Sequence, residues 1–281
     1  MTELRTNAMR QLRTGASSLG LPGRLAAGSA IATILLQIAY PLASDPLQRA
    51  LTIFSVCTFF LSSLSHAFDT RGVRAAVALV VVCVGGGLVA EAVGWRTGLP
   101  FGNYRYNDSL GLKIGGVPVV VALAWAMMGW IALLAGRRVG SRVGSGLAPR
   151  VVAVAVAGVG ALLLVTWDLF LDPQMVDAGH WTWDDTPGPW LHGIPLLNSL
   201  GWFVVAFAMV LALHALVPAQ PRTGTSDATA WLLLGWTWFS ETVGHLVFFG
   251  RTSVGIVGGL AMGVVLLVVA RPQLLRGRWQ V

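Results

Sequence analysis

Charge is scarce in this chain of 281 residues: only 11% are Asp, Glu, Lys or Arg, less than half of the roughly 25% usual in a soluble domain. A soluble fold of this size could not cover its surface with so few charges, and disorder is excluded on the same ground. Cysteine is nearly absent. Cys57 and Cys83 both lie inside long apolar runs and read as small core residues, which removes a disulfide scaffold and thiolate–metal chemistry. Five scattered histidines form no H-x-x-H pair, so the dense imidazole set expected of a membrane di-iron oxygenase is missing. There is no Gly-rich dinucleotide loop and no Walker sequence. The residues imply neither a metal nor a cofactor.

Long apolar runs are what the chain has instead. Hydrophobic residues make up 55%, and mean hydropathy is +0.71. A helix needs about 20 apolar residues to cross a hydrocarbon core about 30 Å thick. Such runs fall near 25–43, 47–66, 73–94, 116–135, 150–171, 195–217, 229–249 and 252–270. The expectation is an all-α polytopic membrane bundle of about eight helices, a single domain over 21–281 preceded by a basic cytoplasmic tail, 1–20. The last two runs are joined so tightly that seven spans plus a re-entrant segment is the alternative.

The net charge of +7 comes from 18 Arg and one Lys. In a soluble protein that excess would suggest nucleic acid. Here the arginines sit between apolar runs, where they mark topology and meet anionic lipid. With the N-terminus inside, the inner segments hold Arg5, Arg10, Arg13, Arg24, Arg71, Arg74, Arg137, Arg138, Arg142, Arg150, Arg222, Arg271, Arg276 and Arg278. The outer segments hold Arg49, Arg96, Arg105, Lys113 and Arg251. Fourteen against five fits eight spans in the cytoplasmic membrane with both termini cytoplasmic. Small residues at four-residue intervals (Gly86, Ala90, Gly94; Ala153, Ala157, Ala161; Gly255, Gly259, Gly263) read as packing seams. No internal repeat stands out, inverted or otherwise.

Two outer connections differ from the other loops. The first reads EAVGWRTGLPFGNYRY from Glu91 to Tyr106 and ends near Gly115-Gly-Val-Pro118. The second runs from Trp167-Asp168 through Asp172-Pro173 and Gly179-His-Trp-Thr-Trp183 to Gly193-Ile-Pro195 and Asn198. An aromatic belt at the membrane interface explains single tryptophans. It does not require the interleaved Gly, Pro and Asp, which fix turns and suggest structured loops folded over the helix ends.

Carboxylates inside spans are costly and mark functional sites by default. Glu91, Asp168 and Glu241 fall at similar depth in the third, fifth and seventh runs. Asp172 follows Asp168, and His245 follows Glu241, at i,i+4, so each pair can share a helix face. Asp177, Asp184 and Asp185 read as solvated loop charges, and His66, His180 and His214 as structural or interfacial. A carboxyl withdrawn from water favours its neutral form and can deliver that proton as a general acid. Tryptophan faces stabilise a developing cation by about 2 kcal/mol each when water is excluded. Acid, aromatic cage and base together suit proton-initiated addition to an apolar alkene. A proton-coupled transporter uses the same intramembrane acids.

The stretches EAVGWRTGLPFGNYRY with GGVP, and DLFLDPQMVDAGHWTW with GIPLLNSLGW, resemble the membrane-bound carotenoid 1,2-hydratase family, of the bisanhydrobacterioruberin hydratase and γ-carotene 1′-hydroxylase type. The resemblance covers about 70 residues. It implies a cofactor-independent addition of water to the terminal double bond of a linear carotenoid ψ-end group, giving a tertiary alcohol, with carotenoid and lipid as the partners and no nucleic acid. Asp168 or Glu91 is then the candidate acid, and Asp172, Glu241 or His245 the group that orients water. Trp95, Tyr104, Tyr106, Trp167, Trp183, Trp202 and Trp238 are candidates for the aromatic lining, and Asn198 for binding water or a carboxyl. A cyclase-like end-group enzyme would use the same acid and cation while excluding water.

Overall fold

The computed structural model describes residues 20–144 and 146–271, and the expected basic tail lies outside them but for Gly20. Proline in the first turn, where an N–H would have no intrahelical partner anyway, opens three of the helices: α1 (Leu21–Ala39), α2 (Asp45–Arg71) and α5 (Pro149–Asp177). The others are α3 (Val73–Thr97), α4 (Val119–Val143), α6 (Leu196–Leu216), α7 (Ala228–Val243) and α8 (Thr252–Ala270). Among the described residues, seven of these eight helices are long and apolar enough to cross a membrane. The eighth, α7, has 16 residues and continues as a π-helical turn, Gly244–Phe248. The protein is a multi-pass helical membrane bundle. α4 is its centre, with Trp125, Trp130, Met128, Ile131 and Leu133 fully buried.

Small residues set the close approaches. A Cβ on Gly136 would collide with the Val156 carbonyl oxygen, so the glycine lets α4 and α5 come together. The α8 stripe meets α7: Gly255 faces Leu246, Gly259 faces Thr242 and Gly263 faces Trp238.

At one end of the bundle arginines satisfy helix-terminal carbonyls that have no intrahelical donor. Arg137 donates to the carbonyls of His214, Val217 and Pro218, while Arg138 and Arg142 donate to those of Val268 and Val269. Arg71, buried, forms a bidentate pair with Asp227 at 2.6 and 2.9 Å. The basic residues that marked topology in the sequence therefore also close the helix ends.

The opposite end carries the two long loops, and these are paired. β1 (Tyr104–Tyr106) runs antiparallel to β4 (Trp181–Trp183), with Tyr104 opposite Trp183, Arg105 opposite Thr182 and Tyr106 opposite Trp181. Each loop then makes a two-residue hairpin leading straight into a helix: β2 (Lys113–Ile114) with β3 (Val117–Pro118), and β5 (Trp190–Leu191) with β6 (Ile194–Pro195). The turn residues Gly115, Gly116, His192 and Gly193 all have positive φ, as a two-residue hairpin whose twist matches its strands requires.

This arrangement corrects the expectation of no repeat. Gly102-Asn-Tyr-Arg-Tyr106 aligns without a gap on Gly179-His-Trp-Thr-Trp183, Ile114–Pro118 on Leu191–Pro195, and Trp125 on Trp202, always 77 positions apart (202 − 125 = 77). α4 begins at Val119 and α6 at Leu196, the same interval (196 − 119 = 77). Arg105 and Thr182, opposite each other in the strand pair, are equivalent positions as well, so an approximate twofold axis passes between them. Both units, α3–α4 and α5–α6, run in the same direction, so the repeat is parallel and its axis lies along the bundle.

Candidate active site

Glu91 sits on α3, buried to 4% exposure. Two glycines on its own helix clear space around it. Gly87, one turn before, lets the Trp125 ring lie against α3, where a Cβ would come within 2.9 Å of it. Gly94, three residues after, does the same for Phe101 and the Tyr104 hydroxyl. Three donors consequently reach the carboxyl. Trp125 Nε1 donates to Oε1 at 2.9 Å, and the hydroxyls of Tyr104 and Tyr106 donate to Oε2 at 2.5 and 2.8 Å. Three such donors satisfy a buried carboxylate well. Burial first, and the Glu91 carboxyl second, push the Tyr104 and Tyr106 phenols well above the ordinary tyrosine range, so both stay protonated and donating.

Asp168, Asp172 and Asn198 form a second buried group. The Asn198 amide nitrogen donates to Asp168 Oδ2 at 2.9 Å and to Asp172 Oδ2 at 2.5 Å. Asp168 and Glu91 are equivalent in the repeat (168 − 91 = 77), but their partners differ: Tyr104 and Tyr106 correspond to Trp181 and Trp183, and Asn198 to Val121. The Trp181 indole N–H, which faces Asp172, is buried with no hydrogen-bond partner among the described residues.

Both groups border one cavity of about 680 Å³. Glu91 and Asp172 line it, with Tyr104, Tyr106, Trp167, Trp181, Trp183, Trp202 and Asn198, and the remainder is largely apolar side chain from α2, α4 and α5. The rings form a connected wall: Trp202 stacks on Trp125 at 4.0 Å and meets Trp167 edge-on at 5.9 Å, while Tyr104 lies 5.7 Å from Trp183 and Tyr106 5.8 Å from Trp181. Asp168 lies behind Asp172, bordering a small separate cleft with His192 and Ser199.

Four expected site residues lie elsewhere. Glu241 lines a neighbouring cavity with Gln37, Ser55 and Thr237, so the three intramembrane acids of α3, α5 and α7 do not gather at one point. Counting along the runs sets them at similar depth, but Glu91 and Glu241 border different cavities that meet at Trp167, Leu171 and Met175 of α5. His245 is fully buried between the rings of Phe170 and Phe249, accepts a hydrogen bond from Arg251 at 3.1 Å, and places Nε2 3.7 Å from Glu241. The Trp95 indole donates to the Gly115 carbonyl under a stacked Arg96 guanidinium, on the outside of the hairpin. Trp238 donates to the Gly259 carbonyl, joining α7 to α8.

Trp181 lines the cavity and Trp125 bonds to Glu91; the sequence reading set Trp181 in the second loop cluster without choosing it for the lining, and did not single out Trp125. Trp125 lies mid-helix in an apolar run, where core packing is the default reading; only its alignment with Trp202 sets it apart. Among the loop charges, Asp177 pairs with Arg251 and Asp184 with Arg105. Among the other histidines, His66 accepts from Trp130, and His180 is bonded to Ser109.

Residues 48–269, which hold both loops and nearly all of α2 through α8, match the family model for carotenoid biosynthesis proteins. Over 180 residues the chain is 30% identical to bisanhydrobacterioruberin hydratase of Haloarcula japonica, an alignment covering 61% of this chain and 54% of that protein. The aligned stretch thus spans about half the length of that relative. No solved structure matches the chain. The family match takes in every residue of the paired-loop cavity, and the chain belongs to the carotenoid biosynthesis protein family.

Proposed function

We propose that this protein hydrates the terminal double bond of a linear carotenoid ψ-end group, by acid initiation and without a cofactor, in the cytoplasmic membrane with both termini cytoplasmic. The observation that carries this reading is the cavity in which Glu91, fully supplied with donors, shares an aromatic chamber with Asp172, the member of the Asp168–Asp172 pair that reaches it. Two carboxyls bound to one amide repel each other as a pair of anions and hold one proton between them. Asp172 is the member lining the chamber, so Asp172 delivers the proton.

The π electrons of the terminal double bond take the Asp172 proton at the less substituted carbon, leaving a tertiary cation and an Asp172 carboxylate. The faces of Trp167, Trp183 and Trp202 and the Glu91 carboxylate offset that positive charge, each ring by about 2 kcal/mol in the absence of bulk water. A water oxygen bonds to the cation and loses its proton to Glu91. Return of that proton from Glu91 to Asp172 through water restores the starting state. Asn198 holds Asp168 and Asp172 in register. Glu241 and His245 exchange no proton in these steps.

The test is expression in a host making a linear carotenoid, with label supplied either as heavy-oxygen water or as heavy dioxygen. Gain of one water mass with the label from water supports hydration. Label from dioxygen indicates an oxygenase, a cyclised isomer of unchanged mass indicates an end-group cyclase, and pigment or ion movement without product indicates a transporter.

A further inference from the structure

A hydratase needs two substrates, and the chamber around Glu91 is shaped for the apolar one. Water must reach the cation by a path that the polyene does not fill. Beside that chamber lies a second cavity of about 710 Å³, and the two share the side chains of Thr52, Val56, Met127, Trp167, Leu171 and Met175.

The second cavity differs in its unspent polar atoms. Ser55 Oγ and Thr237 Oγ1, each more than nine-tenths buried, have no hydrogen-bond partner among the described residues. Glu241 makes no side-chain hydrogen bond among the described residues and lies 3.7 Å from His245 Nε2. Gln37 uses its carbonyl oxygen to accept from Trp236, with no hydrogen bond recorded from its amide N–H groups among the described residues. A buried water needs two to four polar partners, and these four side chains from α1, α2 and α7 offer them. Tyr40, Gln174 and Phe249 border this cavity and also a third one, of about 850 Å³, whose walls are charged: Asp45, Arg49, Asp177 and Arg251. Tyr40 and Phe249 meet edge to face at 5.8 Å between the two. The series runs from a charged vestibule at the loop end, through a polar middle chamber, to the aromatic chamber.

We propose that the middle chamber is a water-binding site that supplies the hydration reaction, with Thr237, Ser55 and Glu241 as positioning residues for water and Tyr40–Phe249 as its outer constriction. This rests on the hydratase reading above.

The experiment offers the cation a second nucleophile. With methanol added, its oxygen bonds to the tertiary cation and its proton passes to Glu91, giving a methyl ether in competition with the tertiary alcohol. The ether-to-alcohol ratio is decided after the cation forms, so a purely structural defect lowers both products and leaves the ratio alone. Thr237→Ala widens the middle chamber, and Phe249→Ala widens its entrance from the other side. Each is expected to raise the ratio about tenfold, the low end of what one added carbon is worth in a fitted pocket, with the carotenoid KM unchanged. Trp95→Ala, outside the route, leaves the ratio at its original value. An unchanged ratio in whichever of the two variants inserts, or a raised carotenoid KM showing that the polyene occupies the chamber, overturns the proposal. Absence of alcohol from the unsubstituted protein would instead overturn the hydratase reading.

Discussion

The indoles of Trp125 and Trp202 lie stacked, centroids 4.0 Å apart and planes 20° from parallel, and the two residues hold the same place in the two halves of the repeat (202 − 125 = 77). They are not equivalent in function. Trp125 donates to Glu91, while Trp202 presents its ring to the cavity. Because the paired positions differ, a nearly symmetric scaffold brings into one chamber a donor-rich Glu91 and an Asp172 that Asn198 ties to Asp168.

Trp125→Phe removes one of the three donors to Glu91 and leaves Oε1 unpaired in a buried site, a cost of about 1–3 kcal/mol. Trp202→Phe keeps all three donors and gives up part of a stack worth about 0.5–1.5 kcal/mol. Product formation at matched membrane content is expected to fall further in the first variant. Equal losses would mean that the hydrogen bond has no special part.

Asp172→Asn removes the proposed proton donor, and activity is expected to fall by about 10²–10⁴. Asp168→Asn, outside the chamber, is expected to lose less. Turnover of each variant, with insertion checked by thermal unfolding in detergent, separates the two. A fully active Asp172→Asn would transfer the acid role elsewhere.

Tyr104 and Tyr106 are held above the ordinary tyrosine range by burial and then by Glu91. A raised phenol keeps its proton to higher pH in the folded protein than in the unfolded one. Its contribution to stability is therefore complete below about pH 10 and lost as pH rises past that value. Up to about pH 11 the folded protein and its Tyr104→Phe/Tyr106→Phe variant should show the same tyrosinate absorbance. Extra tyrosinate in the parent before it unfolds would contradict this.

Gly94→Ala puts a Cβ 2.6 Å from Phe101 and 2.9 Å from the Tyr104 hydroxyl, within reach of the Glu91 network. Overpacking of that kind costs about 1–3 kcal/mol, and activity should drop with it. Gly158→Ala meets nothing within 4 Å, and its melting temperature is expected to stay level or rise.

Asp227→Ala strands the buried Arg71 guanidinium without its bidentate partner, at a cost of about 3–5 kcal/mol. Asp184→Ala breaks the exposed pair with Arg105, worth about 1 kcal/mol or less. Thermal unfolding should rank them in that order.

The helices were legible because each must carry its own run of apolar residues: the run near 195–217 became α6, Leu196–Leu216, and that near 252–270 became α8. The seventh was legible as a run though not as a regular helix, since the π-turn at Gly244–Phe248 leaves hydropathy unchanged. Glu91, Asp168 and Asp172 stood out through the cost of a carboxyl in a span. Trp95 and Trp238 did not separate from the true lining, because an indole reads alike whether it faces a cavity or caps a carbonyl. The repeat escaped notice because its counterparts agree in shape more than identity: Tyr104 answers to Trp181, and Gly115 to His192.

Sequence by itself determined the membrane-spanning character, the number of helices, the two structured loops and the candidate acids, since these follow from length, polarity and desolvation along one chain. Tertiary structure alone decided which acids share a chamber. Depth is a coordinate that counting residues supplies, but the angular position of each helix around the bundle is set by contacts such as Gly136 on Val156 and the Tyr104–Trp183 strand pair. Those contacts put Glu91 and Asp172 in one chamber and Glu241 in the chamber beside it.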